Sequence, residues 1–294
     1  MVSNNIMSLE DYLSIKYASQ TKNLYLYEIN KFLTMHPDAK NFVLSDIVNY
    51  LNHLKNNHVR IDARPRILCS IKSYYNYLIE IGEIEAHPCM MLSQRVKKKE
   101  IQIQDLFTSK ELEQILQMDE LGKVLKLRNK IIVSFVIYQA ALGSEIISLK
   151  LEDIDLDRGT IFLAGNGFVN KRTLRLNSLQ VNMLLEYIEE DRKRLNFKNI
   201  NELIVTIRGE KTTVESINNI FEKIKYVFPD RQLCTRVVRQ SVIANMLNER
   251  GHQIEDVQLF SGQKWPSTTE RYKRHTTELA QKKINSWHPL EKIK

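Results

Sequence analysis

At 294 residues the chain is long enough for two domains of ordinary size, each with a core of its own. A 43% hydrophobic and 27% charged composition excludes a disordered or membrane-embedded protein; no apolar run approaches the roughly 20 residues of a membrane helix, and Met1-Val2-Ser3-Asn4-Asn5 lacks a signal-peptide pattern, so a cytoplasmic protein with no membrane partner is expected. The net charge of +8 suits a polyanionic partner, whereas Cys69, Cys89 and Cys234, odd in number and without a histidine pair at zinc spacing, predict reduced thiols, no metal and no other cofactor.

The first 90 residues read as helices. Apolar residues recur at helical spacing around Val43 and Ile47 and at Leu51 and Leu54, then at Ile67, Leu68, Ile71, Tyr74, Tyr75, Leu78 and Ile79. Pro65 suits the first turn of this second helix, Asp62 is its candidate N-cap, and Gly82 closes it. Tyr74, Tyr75 and Tyr77 read as helix core rather than as a base-stacking platform. Polar residues 96–106, with Lys97, Lys98 and Lys99, read as a linker between a domain at 1–95 and one at 107–294. The lysine run fits a solvated linker and a phosphate contact equally.

Thr108-Ser109-Lys110-Glu111 places a hydroxyl cap before a helix through Met118, and a buried helix from about Asn129 to Gln139 follows. Alternation at residues 160–163 and 173–176 predicts two strands around a glycine-containing turn, with a third strand over 203–207. Helices are expected over residues 178–195, 214–227, 234–250 and 254–261. The second domain is thus mixed α+β, and the whole chain is mainly α with a small antiparallel β-sheet.

The run Gly262-Gln263-Lys264-Trp265-Pro266-Ser267-Thr268-Thr269-Glu270-Arg271-Tyr272, set after Arg236-Val237-Val238-Arg239, resembles the signature of the tyrosine recombinase (phage integrase, Xer-like) family. There a helix carrying His-x-x-Arg is followed by Gly-His and then Ser-Thr-Thr-x-x-Tyr. Residues 144–156 resemble the family's Ser-Glu-Leu-x-x-Leu-x-x-x-Asp-Ile-Asp segment, and residues 159–176 its β-hairpin. Residues 8–13, 21–33 and 70–88 are similar to its helical core-binding domain, and the likeness runs to His288-Pro289. The resemblance implies a two-domain fold, a helical core-binding domain plus a mixed α+β catalytic domain with a C-terminal docking helix over residues 276–287. It also implies double-stranded DNA as partner, and self-association or pairing with a partner recombinase through that helix.

In such a protein a tyrosine oxygen attacks a DNA phosphate and forms a 3′-phosphotyrosyl intermediate. Charge builds on the phosphorane, so bidentate, permanently charged arginines suit the site, together with an acid and a base. By resemblance Tyr272 is the nucleophile, Arg239 and Arg236, three apart on one helix, clamp the phosphate, Gln263 contacts it, and Lys171 is a displaced acid. Arg64, Arg66, Lys72, Lys97, Lys98, Lys99, Arg172 and Lys264 are the implied DNA contacts, with Asn30, Lys31 and Asn76 as further polar candidates. The chain departs from the pattern at four places: Leu142 in Ala140-Ala141-Leu142-Gly143-Ser144-Glu145 stands where the first arginine belongs, Asn166 replaces the hairpin lysine, and Arg236 and Gln263 replace histidines. Since one lost donor costs about 10² to 10³ in rate, the expected protein is a DNA-binding member of a site-specific recombination or integration system, serving a mobile element, with strand cleavage impaired and Leu142 packed in the core. The alternative is an active recombinase in which Lys171, Arg172 or Arg175 fills the vacant charge position.

Overall fold

The computed structural model describes residues 7–94, 105–118 and 125–273 and divides the chain into two units, 1–99 and 100–294, each with its own buried apolar cluster. The first unit holds α1 (Leu9–Lys16), α2 (Ser19–Met35), α3 (Leu44–Asn56) and α4 (Arg64–Glu80). On α4 the buried residues Ile67, Leu68, Ile71, Tyr74, Tyr75 and Leu78 form the stripe that 3.6-residue periodicity predicts. The phenol of Tyr75 donates to the carbonyl of Ala39 at 2.7 Å and that of Tyr77 to the carbonyl of Met7 at 3.0 Å, so the tyrosines belong to the core. Asp62 is not the cap of α4. Ala63 holds that position, and the Asp62 carboxylate is taken by the Arg60 guanidinium at 2.9 and 3.1 Å. Gly82, at φ +75°, ends the helix as expected, with the amide of Glu83 returning to the carbonyl of Leu78 at 2.8 Å.

In the second unit α5 (Ser109–Gln117) starts at the predicted cap, where Thr108 and Glu111 bond each other's backbone amides. The central helix is α6 (Lys126–Gln139), whose Ile131, Ile132, Val133, Phe135 and Val136 are fully buried. It stops at Ala140 in the left-handed region, φ +46°, and the short α7 (Gly143–Ser148) follows at once. β1 (Ile154–Asp155), β2 (Thr160–Leu163) and β3 (Arg172–Arg175) form an antiparallel sheet in that order, with Ile161 opposite Leu174 and Leu163 opposite Arg172.

The third strand is therefore β1 and not residues 203–207, which make only an isolated bridge at Val205, next to another at Glu202. Leu203, Ile204 and Val205 are buried as an irregular core segment whose amides at 203 and 205 reach the carbonyl of Leu149 and the Tyr187 phenol. A short apolar run carries no periodicity that separates this from a strand. Beyond the sheet lie α8 (Ser178–Glu186), α9 (Arg192–Leu195) joined to it by one π-helical turn at Tyr187–Asp191, α10 (Val214–Lys223), α11 (Thr235–Asn248), α12 (Ile254–Ser261) and α13 (Pro266–Glu270). Among the described residues no helix is long and apolar enough to cross a membrane, and no His/Cys/Asp/Glu group is arranged to hold a metal ion. Lys97, Lys98 and Lys99 and the expected docking helix at 276–287 lie outside the described residues.

Candidate active site

Two short backbone segments meet in the second unit: residues 140–142, between α6 and α7, and residues 261–263, where α12 ends. Arg239, in the second turn of α11 and 7% exposed, joins them, donating from Nη1 to the carbonyl of Ala140 and from Nη2 to that of Ser261 at 2.7 Å. Its neighbours Val238, Val242 and Ile243 are core residues, so the packing of α11 fixes where the guanidinium sits.

The hairpin loop is attached to the second of these segments. The amide of Asn170 donates to the carbonyl of Gly262 at 2.7 Å, and Val169 bridges Gln263. Gly262 has φ +70°, and a Cβ there would lie 2.8 Å from both the carbonyl oxygen of Asn170 and Nη1 of Arg172. Only glycine permits both this turn and so close an approach. The Asn166 side chain accepts the amides of Phe168 and Val169 at 2.8 and 3.1 Å, so this residue shapes the loop.

Arg172 opens β3 and is 8% exposed. Its Nη1 and Nη2 donate to the two oxygens of the Glu145 carboxylate at 2.6 and 3.1 Å, and Oε2 of Glu145 also accepts the amide of Leu142 at 2.8 Å. Nε of Arg172 is buried with no hydrogen-bond partner among the described residues. Tyr272 is 7% exposed; its ring lies in a cluster with Leu106, Ile243, Ala244, Leu247 and Val257, and its carbonyl accepts from Nδ2 of Asn248 at 2.8 Å. The carboxamide oxygen of Gln263 accepts the Thr269 hydroxyl at 2.5 Å. Burial, and then the charge of Arg172, pull the Arg239 guanidinium down to about 10, while Glu145 and Tyr272 act in the opposite direction. Arg239, Arg172, Glu145 and Tyr272 thus share one electrostatic neighbourhood.

The other expected residues are placed differently. Arg236 is exposed on the first turn of α11, apart from the buried Arg239, and Lys171 and Lys264 are exposed too. Lys171 directly precedes the inward-facing Arg172, and strand alternation turns it the other way. Leu142 does not pack into the core as expected; it is half-buried and caps α7, because Glu145 takes its amide. In the first unit Arg64 donates to the carbonyl of Val59 at 2.9 Å and Lys72 to that of Met90 at 2.7 Å, so both tie down their own backbone, while the exposed Arg66 pairs with Glu28 at 3.2 Å.

Sequence reasoning passed over Glu145 and set Arg172 among the DNA contacts, naming it only beside Lys171 and Arg175 as a filler of the vacant charge position. A signal was available: in Arg172-Thr173-Leu174-Arg175 the period of two puts Arg172 on the side of Leu174, opposite the fully buried Leu163.

A helical first unit and a mixed second unit built around α6, α11 and a three-stranded sheet define a fold shared with known proteins. The chain belongs to the phage integrase family, whose model matches residues 105–278, that is, to the tyrosine recombinases, whose work is site-specific DNA recombination. It is similar to TTE1313 of Caldanaerobacter subterraneus subsp. tengcongensis, carried under the tyrosine recombinase name, at 31% identity over 84% of each chain. It is also similar to the tyrosine recombinase XerC of Staphylococcus aureus (strain MSSA476), at 24% identity over 91% of this chain and 89% of that one. Among solved structures, the Tn1549 transposon integrase in complex with circular intermediate DNA matches with a TM-score of 0.69 at 14% identity, covering 95% of this chain and 99% of that one. The XerH recombinase bound to its difH substrate before cleavage matches with a TM-score of 0.69 at 16% identity, covering 92% and 79%. At these identities the structures speak for the fold.

Proposed function

We propose that the protein binds duplex DNA and breaks and rejoins one strand through Tyr272, slowly, within a site-specific recombination or integration system of a mobile element in the cytoplasm. The observation that carries this reading is the packing of Tyr272 with Ile243, Ala244 and Leu247 of α11, the helix that also carries the buried Arg239. In this reading residues 1–95 are the core-binding domain, residues 96–106 the linker, and residues 107–294 the catalytic domain. The DNA complexes of the Tn1549 integrase and of XerH, matched in fold over most of this chain, support the partner.

The reaction follows from the groups present. Arg239 holds a non-bridging phosphate oxygen, the Tyr272 oxygen bonds to phosphorus, and the bond to the 5′-oxygen breaks, leaving a 3′-phosphotyrosine; rejoining is the reverse. The Gln263 amide, with its oxygen occupied by Thr269, offers N–H donors to the phosphate but cannot carry a proton. Lys171 directly precedes Arg172 and by strand alternation faces the other way; in this reading the leaving oxygen takes its proton from solvent. A positioned general acid is worth about 10² to 10⁴ in rate, and cleavage is slow by that order.

A nicked duplex carrying the native site, which traps the covalent state, provides the test. A slowly accumulating adduct with the wild-type protein and none with Tyr272→Phe, which still binds DNA, is the expected result. Absence of any adduct under conditions where the DNA is fully bound overturns the cleavage reading and leaves a DNA-binding role.

A further inference from the structure

Resting on the cleavage reading above, we propose that Arg172 of strand β3 is the second phosphate-binding guanidinium of this site, doing from the hairpin what Leu142 cannot do from the junction of α6 and α7.

The two arginines are bracketed by the same backbone. Arg239 binds the carbonyls of Ala140 and Ser261; the carboxylate that holds Arg172 also binds the amide of Leu142, and Nη1 of Arg172 lies against Gly262. Both cations therefore stand at the junction of residues 140–142 with residues 261–263, approaching it from α11 and from β3. A phosphodiester has two non-bridging oxygens, and two guanidiniums converging from different elements match them.

The charges point the same way. Arg172, Arg239 and Glu145 are 8%, 7% and 3% exposed, so within this trio two positive charges face one negative one in a largely water-excluded space. An uncompensated buried cation is unfavourable, and one bound phosphate, carrying a single negative charge, neutralises it. The depressed proton affinity of Arg239 beside Arg172 is the electrostatic counterpart of this excess.

The buried Nε of Arg172 supplies an independent observation. Glu145 satisfies the two terminal nitrogens, and Nε remains a donor without an acceptor. Buried donors are nearly always paired, so a site completed by its ligand accounts for this one. An ion pair serving structure alone accounts neither for the unpaired nitrogen nor for the second guanidinium beside it. No extra reactant enters: the Tyr272–phosphorus bond forms as the phosphorus–5′-oxygen bond breaks, the phenolic proton passes to solvent, and the leaving oxygen takes one from solvent.

Three variants, measured on the nicked duplex and checked for folding by thermal melting, test the proposal. Arg172→Gln should lower the adduct rate by about 10² to 10³, the loss expected for one preorganised donor. Arg172→Gln with Glu145→Gln leaves no lone buried carboxylate, should melt like the wild type, and should stay equally impaired. Arg172→Gln with Leu142→Arg returns a guanidinium to the junction and should recover at least tenfold over Arg172→Gln alone. Binding in the Tyr272→Phe background gives a readout apart from cleavage. There Arg172→Gln should reduce the slope of log affinity against log salt by about 0.9, one phosphate contact fewer. Wild-type adduct rates in the folded Arg172→Gln/Glu145→Gln protein overturn the proposal. If the wild type itself forms no adduct, the cleavage reading falls and the salt slope decides Arg172 alone: an unchanged slope removes it from the phosphate.

Discussion

The carboxamide oxygen of Gln263 is held by Thr269, and in the proposed reaction its nitrogen donates to the phosphate. Gln263→His introduces a group that can hold a proton near neutrality, and the adduct rate should rise at least tenfold between pH 6 and 8; an unchanged rate would mean that the missing acid is not what limits cleavage. Arg239 makes a second residue-scale prediction. Its proton affinity is lowered by burial to about 10, so keeping it charged opposes folding below about pH 10, and that opposition fades as pH rises above it. A bound phosphate favours the charged form. The affinity advantage of the wild type over Arg239→Gln should accordingly be present at pH 8 and shrink by pH 10.5, as measured by DNA titration at fixed salt. No advantage at pH 8 would place Arg239 away from the phosphate. The cysteines provide a third case: burial pushes the Cys89 thiol up to about 11, whereas Cys69 is exposed. At pH 8 an alkylating reagent should label Cys69 at least tenfold faster than Cys89, and equal rates would show that the first unit opens far more readily than its packing implies.

Among the elements, the hairpin carries the most consequence, because its attachment to Gly262 sets the position of Arg172. Gly262→Ala forces a side chain into a left-handed turn and against the carbonyl of Asn170, and should cost about 1–3 kcal/mol of stability. Melting measures that loss, and the adduct rate should fall by more than it accounts for, since Arg172 is displaced; a rate tracking stability alone would detach the hairpin from the chemistry. The helices were largely legible in the sequence. For α12 the predicted bounds match, and α5 and α4 begin or end at the capping threonine and the closing glycine that the sequence offers. What was not legible has physical causes. Residues 203–207 are as apolar as a strand, but only Leu203, Ile204 and Val205 enter the core, as an irregular segment, and the backbone partner of a short run is decided by distant packing. The site was half legible: the resemblance to the family's motif brought Arg239 and Tyr272 forward, while the pairing of Arg172 with Glu145 joins a strand to a helix that no local pattern connects.

At the scale of the whole molecule, a net charge of +8 and two separately cored units suit binding along a duplex. Affinity for DNA flanking the native site should fall steeply between 50 and 200 mM salt, by about 10³ or more if six or more phosphates are contacted, and salt-independent binding would contradict a backbone-led interface. The resemblance assigns a docking role to residues 276–287; truncation after Arg274 should abolish cooperative binding to a paired site while sparing a single site, as read from titrations of one-site and two-site duplexes. Finally, the loop from Gly165 to Phe168, its phenylalanine 88% exposed, is the part of the hairpin that solvent reaches most readily. Val169 and Asn170, which hold Gln263 and Gly262, lie on the β3 side of this loop, so a protease cut within it would leave Arg172 tied to the site by the same bonds. Such a nicked protein would be whole by mass on a native gel and would still carry Arg172 against Glu145: severed in chain, and undivided as a site.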